Sequence, residues 1–277
     1  MQIINEYNNE LAVERCKQHR LDILKMSQNV SAMHIGGAFS STEAVDCIYN
    51  DLMRKGTNEC VVGEDAPDTF IMSKGHGYMI QLMLLHSLGV ISQELIDGYC
   101  TPSGILGVHP DFGVPGIEAS TGSLGHGLSL ALGMAVANRS RNSDGVVYSV
   151  LSDGELQEGS TWEAILASSS QKIKNLVVMV DNNNMQSLGF TNETHPSFYP
   201  VVEKLEAFGW ESNEVDGHNS SEIYNAVINR TGDKPFLLNL KTIKGKGVSF
   251  MENAPIWHYR SPSKDEYNQS VNEILGS

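Results

Sequence analysis

Val146-Val147-Tyr148-Ser149-Val150-Leu151 runs into Ser152-Asp153-Gly154-Glu155-Leu156-Gln157-Glu158-Gly159, and further on Leu176-Val177-Val178-Met179-Val180 runs into Asp181-Asn182-Asn183-Asn184. Each stretch begins as an apolar run of strand length and ends in polar, turn-forming residues. Between them, the stretch from Trp162 to Gln171 reads as a helix. A third apolar run, Phe236 to Leu240, follows later. Strands apolar on both faces and separated by helices predict an α/β fold, a parallel sheet covered by helices on both faces. Upstream, Leu11, Cys16, Leu21, Leu24 and Val30 recur with helical period among charges, and a second helical run follows Ser41-Thr42-Glu43 through Met53. No composition break, repeat or low-complexity segment marks a linker. One domain over 1–277 is expected, with the tail 259–277 packing over it or onto a partner.

The 277 residues are about twice the modal domain length, so the chain can bury a sizeable core. Lys and Arg number 19 against 33 Asp and Glu, a net charge of −14, which repels phosphate backbones and anionic membrane surfaces. Neither nucleic acid nor membrane is expected as a partner. Any anionic ligand must be held locally, by a metal ion, backbone N–H groups or a few placed cations. The cysteines, Cys16, Cys47, Cys60 and Cys100, form no C-x-x-C pair, and they read as reduced thiols of a cytoplasmic protein. Met1 to Glu10 has no basic segment followed by an apolar one, so no secretory signal is expected.

In parallel α/β sheets, ligands bind outside the carboxyl ends of the strands. An isolated Asp-Gly or an Asn run is most often only a turn. Taken together they say more: Asp153 and Asn183 lie 30 residues apart, each at the exit of a buried strand, with one helix between. Adjacent parallel strands bring the two tips together. A carboxylate with an amide oxygen is the hard oxygen set that Mg2+ or Ca2+ prefers, with open positions left for phosphate oxygens. The pattern predicts a metal-diphosphate site.

The run Asp153 to Gly159, with Trp162-Glu163-Ala164 and Asn175 through Asn183, resembles the thiamine-diphosphate motif of transketolases. Five further matches follow in order along the chain: Met33-His34-Ile35-Gly36-Gly37, Ser73-Lys74-Gly75-His76-Gly77, Val108-His109-Pro110, Ser120 to Gly127, and Lys244 to Met251 through Trp257-His258. The chain resembles the N-terminal subunit of a split, two-chain transketolase. The resemblance implies that Asp153, the Asn183 side chain and the main-chain carbonyl of Met185 ligate the metal. It implies that Gly122, Ser123, Leu124, Gly154 and Glu155, with His76 and His258, contact the cofactor beside the two metal-ligand side chains. His34, His76, His109 and His258 are implied as the catalytic residues lining the channel around the reactive thiazolium carbon. Imidazole suits that place, because its ordinary pKa of about 6.5 lets it donate or accept a proton near neutrality.

Several positions depart from the family pattern. Ser152 stands where the family has glycine, Ile35 where it has proline, Val108 where it has glycine, and His126 where it often has glutamine. Ser152 is expected to alter the turn and Ile35 to loosen its loop. Tyr259, after His258, replaces a small residue and is expected near the channel mouth. Within Lys241 to Lys246, either Lys244 or Lys246 is expected near phosphate, against a plain reading as a solvated strand end.

Only nineteen residues follow His258, too few for the pyrimidine-binding domain of a complete transketolase. The resemblance therefore implies a separate C-terminal subunit, two copies of each chain, and a sugar or sugar-phosphate substrate that passes a two-carbon ketol unit to an aldehyde. Two rival readings are a non-catalytic cofactor-binding assembly subunit and the alpha subunit of a 2-oxo acid dehydrogenase. The second leaves the histidine motifs without a purpose.

Overall fold

The computed structural model describes residues 7–57, 59–187 and 189–276; Met1 to Glu6, which open the polar N-terminal stretch, lie outside the described residues. Five strands form one sheet: β1 (Thr69–Met72), β2 (Val147–Ser152), β3 (Leu176–Asn182), β4 (Glu211–Asp216) and β5 (Phe236–Lys241). Every pairing is parallel and the spatial order is β1-β2-β3-β5-β4. The three apolar runs of the sequence are β2, β3 and β5. The other two strands are β1, only four residues long, and β4, whose residues Glu-Ser-Asn-Glu-Val-Asp are mostly polar because it is the sheet edge.

Eleven α-helices are defined among the described residues: α1 (Asn9–Ser27), α2 (Ile35–Ser40), α3 (Thr42–Cys47), α4 (Tyr78–Ser87), α5 (Gln93–Asp97), α6 (Gly127–Ser140), α7 (Gly159–Ser170), α8 (Thr191–Thr194), α9 (Val201–Ala207), α10 (Ser220–Ile228) and α11 (Lys264–Leu275). Caps set several boundaries. Asn8 accepts from the Leu11 N–H at 3.1 Å to start α1, and Ser263 with Glu266 forms a reciprocal capping box at the start of α11. The run through Met53 is not one helix. It is α3 followed by a wider π-turn over Ile48–Leu52. The tail helix α11 lies against α1 of the same chain, with Ile274 buried.

Side chains alternate across the strands and so build two cores. Tyr148, Val150, Val177, Met179, Leu238 and Leu240 join residues of α1, α3, α4 and α10 on one face. Val147, Leu151, Leu176, Val178, Val180 and Leu237 join α6, α7 and α9 on the other. Each fully buried aliphatic or aromatic side chain contributes roughly 1.5–3 kcal/mol. Both faces of the sheet are therefore spent on packing, and the polar residues at its carboxyl edge are left as the place for chemistry.

That edge is fastened by a buried ion pair. Lys74, from the loop after β1, meets Asp181 of β3, and both side chains are fully excluded from solvent. Lys74 also donates to the Gly37 carbonyl of α2 at 2.8 Å. Asp181 accepts from Ser40 at 2.6 Å, from Asn183 at 3.1 Å and from Thr242 after β5. Burial disfavours the Asp181 carboxylate, but the Lys74 ammonium and these hydrogen bonds outweigh it and hold its pKa below the ordinary range. Lys74→Met, which strands the carboxylate, is expected to cost about 3–5 kcal/mol in urea unfolding, and Lys74→Met with Asp181→Asn to recover most of that loss. A single variant unfolding within about 1 kcal/mol of wild type would show that the pair is not the tie.

Candidate active site

The expected tips do meet. Ser152 is in register with Asp181, and the Asp153 N–H donates to the Asp181 carbonyl at 3.2 Å. Asp153 is 2% exposed. One oxygen accepts from the Gly154 N–H at 2.8 Å and the other from the Thr191 hydroxyl at 2.9 Å, with Tyr199 standing behind Thr191 at 2.6 Å. Among the described residues no cation pairs with it. Burial first, and then the charge of Asp181, push its carboxyl up to about 6. Asn183 donates its amide N–H to Asp181, so its Oδ1 is turned the other way, where it accepts from the Met185 N–H at 3.0 Å. This network fixes which amide atom faces outward.

Glu155 is fully buried, and its work is inward. Its Oε1 accepts from Ser73 at 2.5 Å and from the Gly125 N–H at 2.9 Å, tying the loop after β1 to the glycine-rich loop. Its Oε2 has no hydrogen-bond partner among the described residues. Burial pushes this carboxyl up. The altered turn expected of Ser152 takes a definite form, since its hydroxyl accepts from the Glu155 N–H at 3.2 Å and so caps the turn that glycine would leave open. Ile35 corrects the looser loop expected of it: it is the first residue of α2, fully buried, with its N–H on the Met33 carbonyl at 2.9 Å.

The glycine-rich stretch Gly122 to Gly127 packs closely on its surroundings. Gly122 has φ +137°, and a Cβ there would lie 2.9 Å from the His109 ring; a Cβ on Gly75 would lie 2.7 Å from the Gly122 Cα. Only paired glycines let the two loops touch. Ser123 is exposed, Leu124 is half-buried, and α6 then begins with no side-chain cap on its first turn. His126 is exposed and stands apart from the other histidines, its Nδ1 3.4 Å from the Leu124 carbonyl.

The four histidines that the motifs single out converge. The His34 ring centroid lies 5.8 Å from that of His76, 5.9 Å from His109 and 5.1 Å from His258, and His76 and His258 are 5.7 Å apart. Lys244, 2% exposed, donates to Nδ1 of His258 at 2.8 Å. That bond places the His258 proton on Nε2. Burial and then the Lys244 charge push His258 down to about 3. Burial, followed by His109 and Lys244, pushes His34 down to about 4. Burial and the Lys74 charge push His76 well down, and burial lowers His109. All four are neutral at pH 7 and so able both to donate and to accept. Burial and Lys74 bring the Lys244 ammonium down to about 8, and it has no anionic partner among the described residues. Of the basic stretch, Lys241 pairs with Glu214 in solvent and Lys246 lies 3.7 Å from Glu252, which leaves Lys244 as the buried one.

A buried carboxylate without a cation and a buried ammonium without an anion, near enough that the Asp153 charge acts on Lys244, suit a bound metal–anion pair, each charge meeting its opposite. Neutral imidazoles beside such a pair mark a catalytic domain that holds a phosphorylated cofactor. The chain matches the family described as transketolase, thiamine diphosphate binding domain, over residues 11–276. It is 37% identical to one of the subunits of the apulose-4-phosphate transketolase of Phocaeicola vulgatus, covering 93% of this chain and 92% of that one. It is 35% identical to a 6-deoxy-6-sulfo-D-fructose transketolase subunit of a Clostridium species, covering 87% and 88%. With human transketolase it shares 34% identity over 75% of this chain and 33% of that one. Its fold matches a transketolase structure from Campylobacter jejuni with a TM-score of 0.88 at 23% identity, covering 97% of this chain and 43% of that chain. The chain thus belongs to the transketolase family of transferases and is its thiamine-diphosphate-binding domain; it spans less than half the length of these single-chain transketolases. No helix among the described residues is long and apolar enough to cross a membrane.

In the sequence, Ser73, Lys74 and Asp181 stand inside motifs but carry no mark of a role, and nothing singles out Ser40, Thr191, Tyr199 or Thr242. These residues hold the named ones in place, and no local pattern marks a residue that acts across the sheet edge. The depressed imidazole pKa values carry a checkable consequence. A base whose pKa is lower folded than unfolded favours the folded state fully above the unfolded value of about 6.5 and loses that contribution as pH falls toward the folded value. NMR titration of the imidazole ring protons is expected to show His34 charging near pH 4 and His258 near pH 3, with stability falling between roughly pH 6.5 and 4 and a shallower fall in His34→Gln. Titration of both rings at their ordinary value would refute the packing described.

Proposed function

We propose that this chain, together with a separate partner chain, transfers a two-carbon ketol unit from a ketose or ketose-phosphate donor to an aldehyde acceptor. The observation that carries the reading is the pair of unmatched buried charges, Asp153 and Lys244, beside four neutral histidines. Asp153, the Asn183 Oδ1 and the Met185 carbonyl would hold Mg2+ or Ca2+. The donor set is hard oxygen throughout, and the lone carboxylate gains the cation it lacks. Lys244, the backbone of Gly122, Ser123, Leu124 and Gly154, and the uncapped start of α6 would receive the diphosphate. Glu155 contributes by fixing the glycine-rich loop through Gly125. Thiamine diphosphate, when bound, supplies the electron sink for carbon–carbon bond cleavage.

The chain's own groups do the rest. His76 and His258 lie next to one another and would contact the cofactor. His34 and His109 would hydrogen-bond sugar hydroxyls and move protons to and from them. Because the His34 and His109 rings are neutral, a free ring nitrogen takes a proton without first losing one to solvent, and the imidazolium so formed gives it back. Lys244 holds Nδ1 of His258, which leaves the Nε2–H as the group offered to substrate.

A partner subunit is supported by the names of the relatives, two of which are called subunits and match this chain along nearly their whole length. We read the assembly as two copies of each chain, with the active site between unlike chains and residues 1–277 as one domain. The retained ligand set and the gathered histidines favour an enzyme over an assembly subunit.

Asp153→Ala and Asn183→Ala are each expected to abolish Mg2+-dependent binding of thiamine diphosphate by the assembled protein, as read by calorimetry, with the fold retained by circular dichroism. Unchanged cofactor affinity in both would remove the proposed metal site. In the same assembly His34→Ala and His258→Ala are expected to lower turnover roughly 100-fold or more with cofactor still bound. The chain alone is expected to show no ketol transfer and to gain it when the partner is added. Turnover by the isolated chain would overturn the two-chain reading.

A further inference from the structure

The Tyr259 ring centroid lies 4.6 Å from that of His34 at an interplanar angle of 44°. The ring is 51% exposed, so it covers His34 from the solvent side. Its position is not loose. The next residue, Arg260, donates its N–H to the Met33 carbonyl at 3.1 Å, lays its guanidinium 4.2 Å over the buried Trp257 ring and pairs with Glu266 at 2.7 Å. These contacts fix the backbone of Tyr259 on the His34 side.

Apart from the exposed Asp111, whose charge acts on His109, the groups on this part of the rim are uncharged or paired. Two cations close by are engaged, Lys244 with His258 and Arg260 with Glu266 and Trp257. Ile256 and Phe112, flanking His258 and His109 in sequence, are 67% and 75% exposed and uncharged. In ketol transfer the reacting carbonyl lies among the histidines and the remaining carbons extend outward past the rim. An aromatic face attracts the C–H face of such a chain by dispersion, and a fixed ring also removes the space that a small residue would leave.

We propose that Tyr259 determines substrate specificity: its ring stacks on the carbon chain beyond the reacting centre and limits its length, so that short-chain aldehyde acceptors are favoured over longer ones. The proposal rests on the ketol-transfer reading above. Discrimination by a shaped pocket against one or two extra carbons is about 10- to 100-fold.

The test uses the chain co-purified with its partner, one common donor, and two acceptors, glyceraldehyde 3-phosphate and ribose 5-phosphate. Wild type is expected to favour the three-carbon acceptor, and Tyr259→Gly to move the ratio of kcat/KM toward the five-carbon one by about 10-fold or more, mainly through KM. Tyr259→Phe keeps the wild-type ratio, because the ring face remains. A ratio unchanged within about twofold in Tyr259→Gly overturns the proposal. A second readout is independent of turnover: diethyl pyrocarbonate modification of His34, followed by peptide mass spectrometry with the exposed His195 as reference. Tyr259→Gly is expected to speed modification of His34 several-fold, and an unchanged rate would show that the ring does not cover it. A wild-type complex that transfers no ketol unit while His34 labelling still rises would sink both the ketol-transfer reading and the specificity assigned to Tyr259, leaving only the cover over His34.

Discussion

The buried pair of Lys74 and Asp181 is the constraint around which the carboxyl edge of the sheet is organised. It joins the loop after β1 to the end of β3, reaches α2 through Gly37 and Ser40, and reaches the exit of β5 through Thr242. Asn183, the expected metal ligand, takes its orientation from the same carboxylate. An ion pair this deep gains little net stability, since the desolvation of two charges cancels most of their attraction. Its value here is positional. A hydrophobic pair of equal volume would pack as well but would orient neither Asn183 nor the first turn of α2.

The rest of the site is less stable than a fully paired interior would be. Asp153 is a carboxylate without a cation, Lys244 an ammonium without an anion, and Glu155 keeps one oxygen unpartnered among the described residues. Each raises the free energy of the folded chain when nothing is bound. A metal–anion pair bound between Asp153 and Lys244 would relieve both of their charges at once, linking ligand affinity and folding stability at the same atoms. The two hydrophobic cores on either side of the sheet are large enough to carry this load. They pack against strand faces and not against the strand ends, so the edge remains polar without opening the core.

Much of this was legible in the sequence, for reasons that differ by residue. β2, β3 and β5 were visible because strands buried on both faces read as unbroken apolar runs. β4 was not, since an edge strand keeps one side in solvent and Glu211 to Asp216 follows no apolar pattern. β1 was too short to stand out, and α2 is a six-residue helix whose start at His34 has no side-chain cap. Asp153 and Asn183 were found because each follows a strand that could be recognised. Lys74 and Asp181 were not assigned a role: their meaning lies in a contact between residues 107 apart in sequence, and local spacing cannot encode it. Ser152 and Ile35 show the same limit at short range. Their neighbours, the Glu155 N–H and the Met33 carbonyl, turn an apparent departure into a satisfied turn and a buried helix start.

The acidity of the chain sharpens the argument about where its ligand must sit. With a net charge of −14, the outer surface repels any phosphorylated molecule, and screening limits that repulsion to about a Debye length, roughly 8 Å at physiological salt. Inside the cleft Lys74 and Lys244 are buried together, and their charges add to burial in depressing the titration of His76 and His258. Two ammonium groups in a medium that screens poorly act strongly at short range and hardly at all outside it. That local field adds to burial in keeping His34, His76 and His258 neutral, and Lys244, which lacks an anion among the described residues, would favour one. Uncharged imidazoles and a buried ammonium open to an anion thus sit side by side, the first mainly through burial and the second through Lys244, and the acidic exterior acts too far away to interfere.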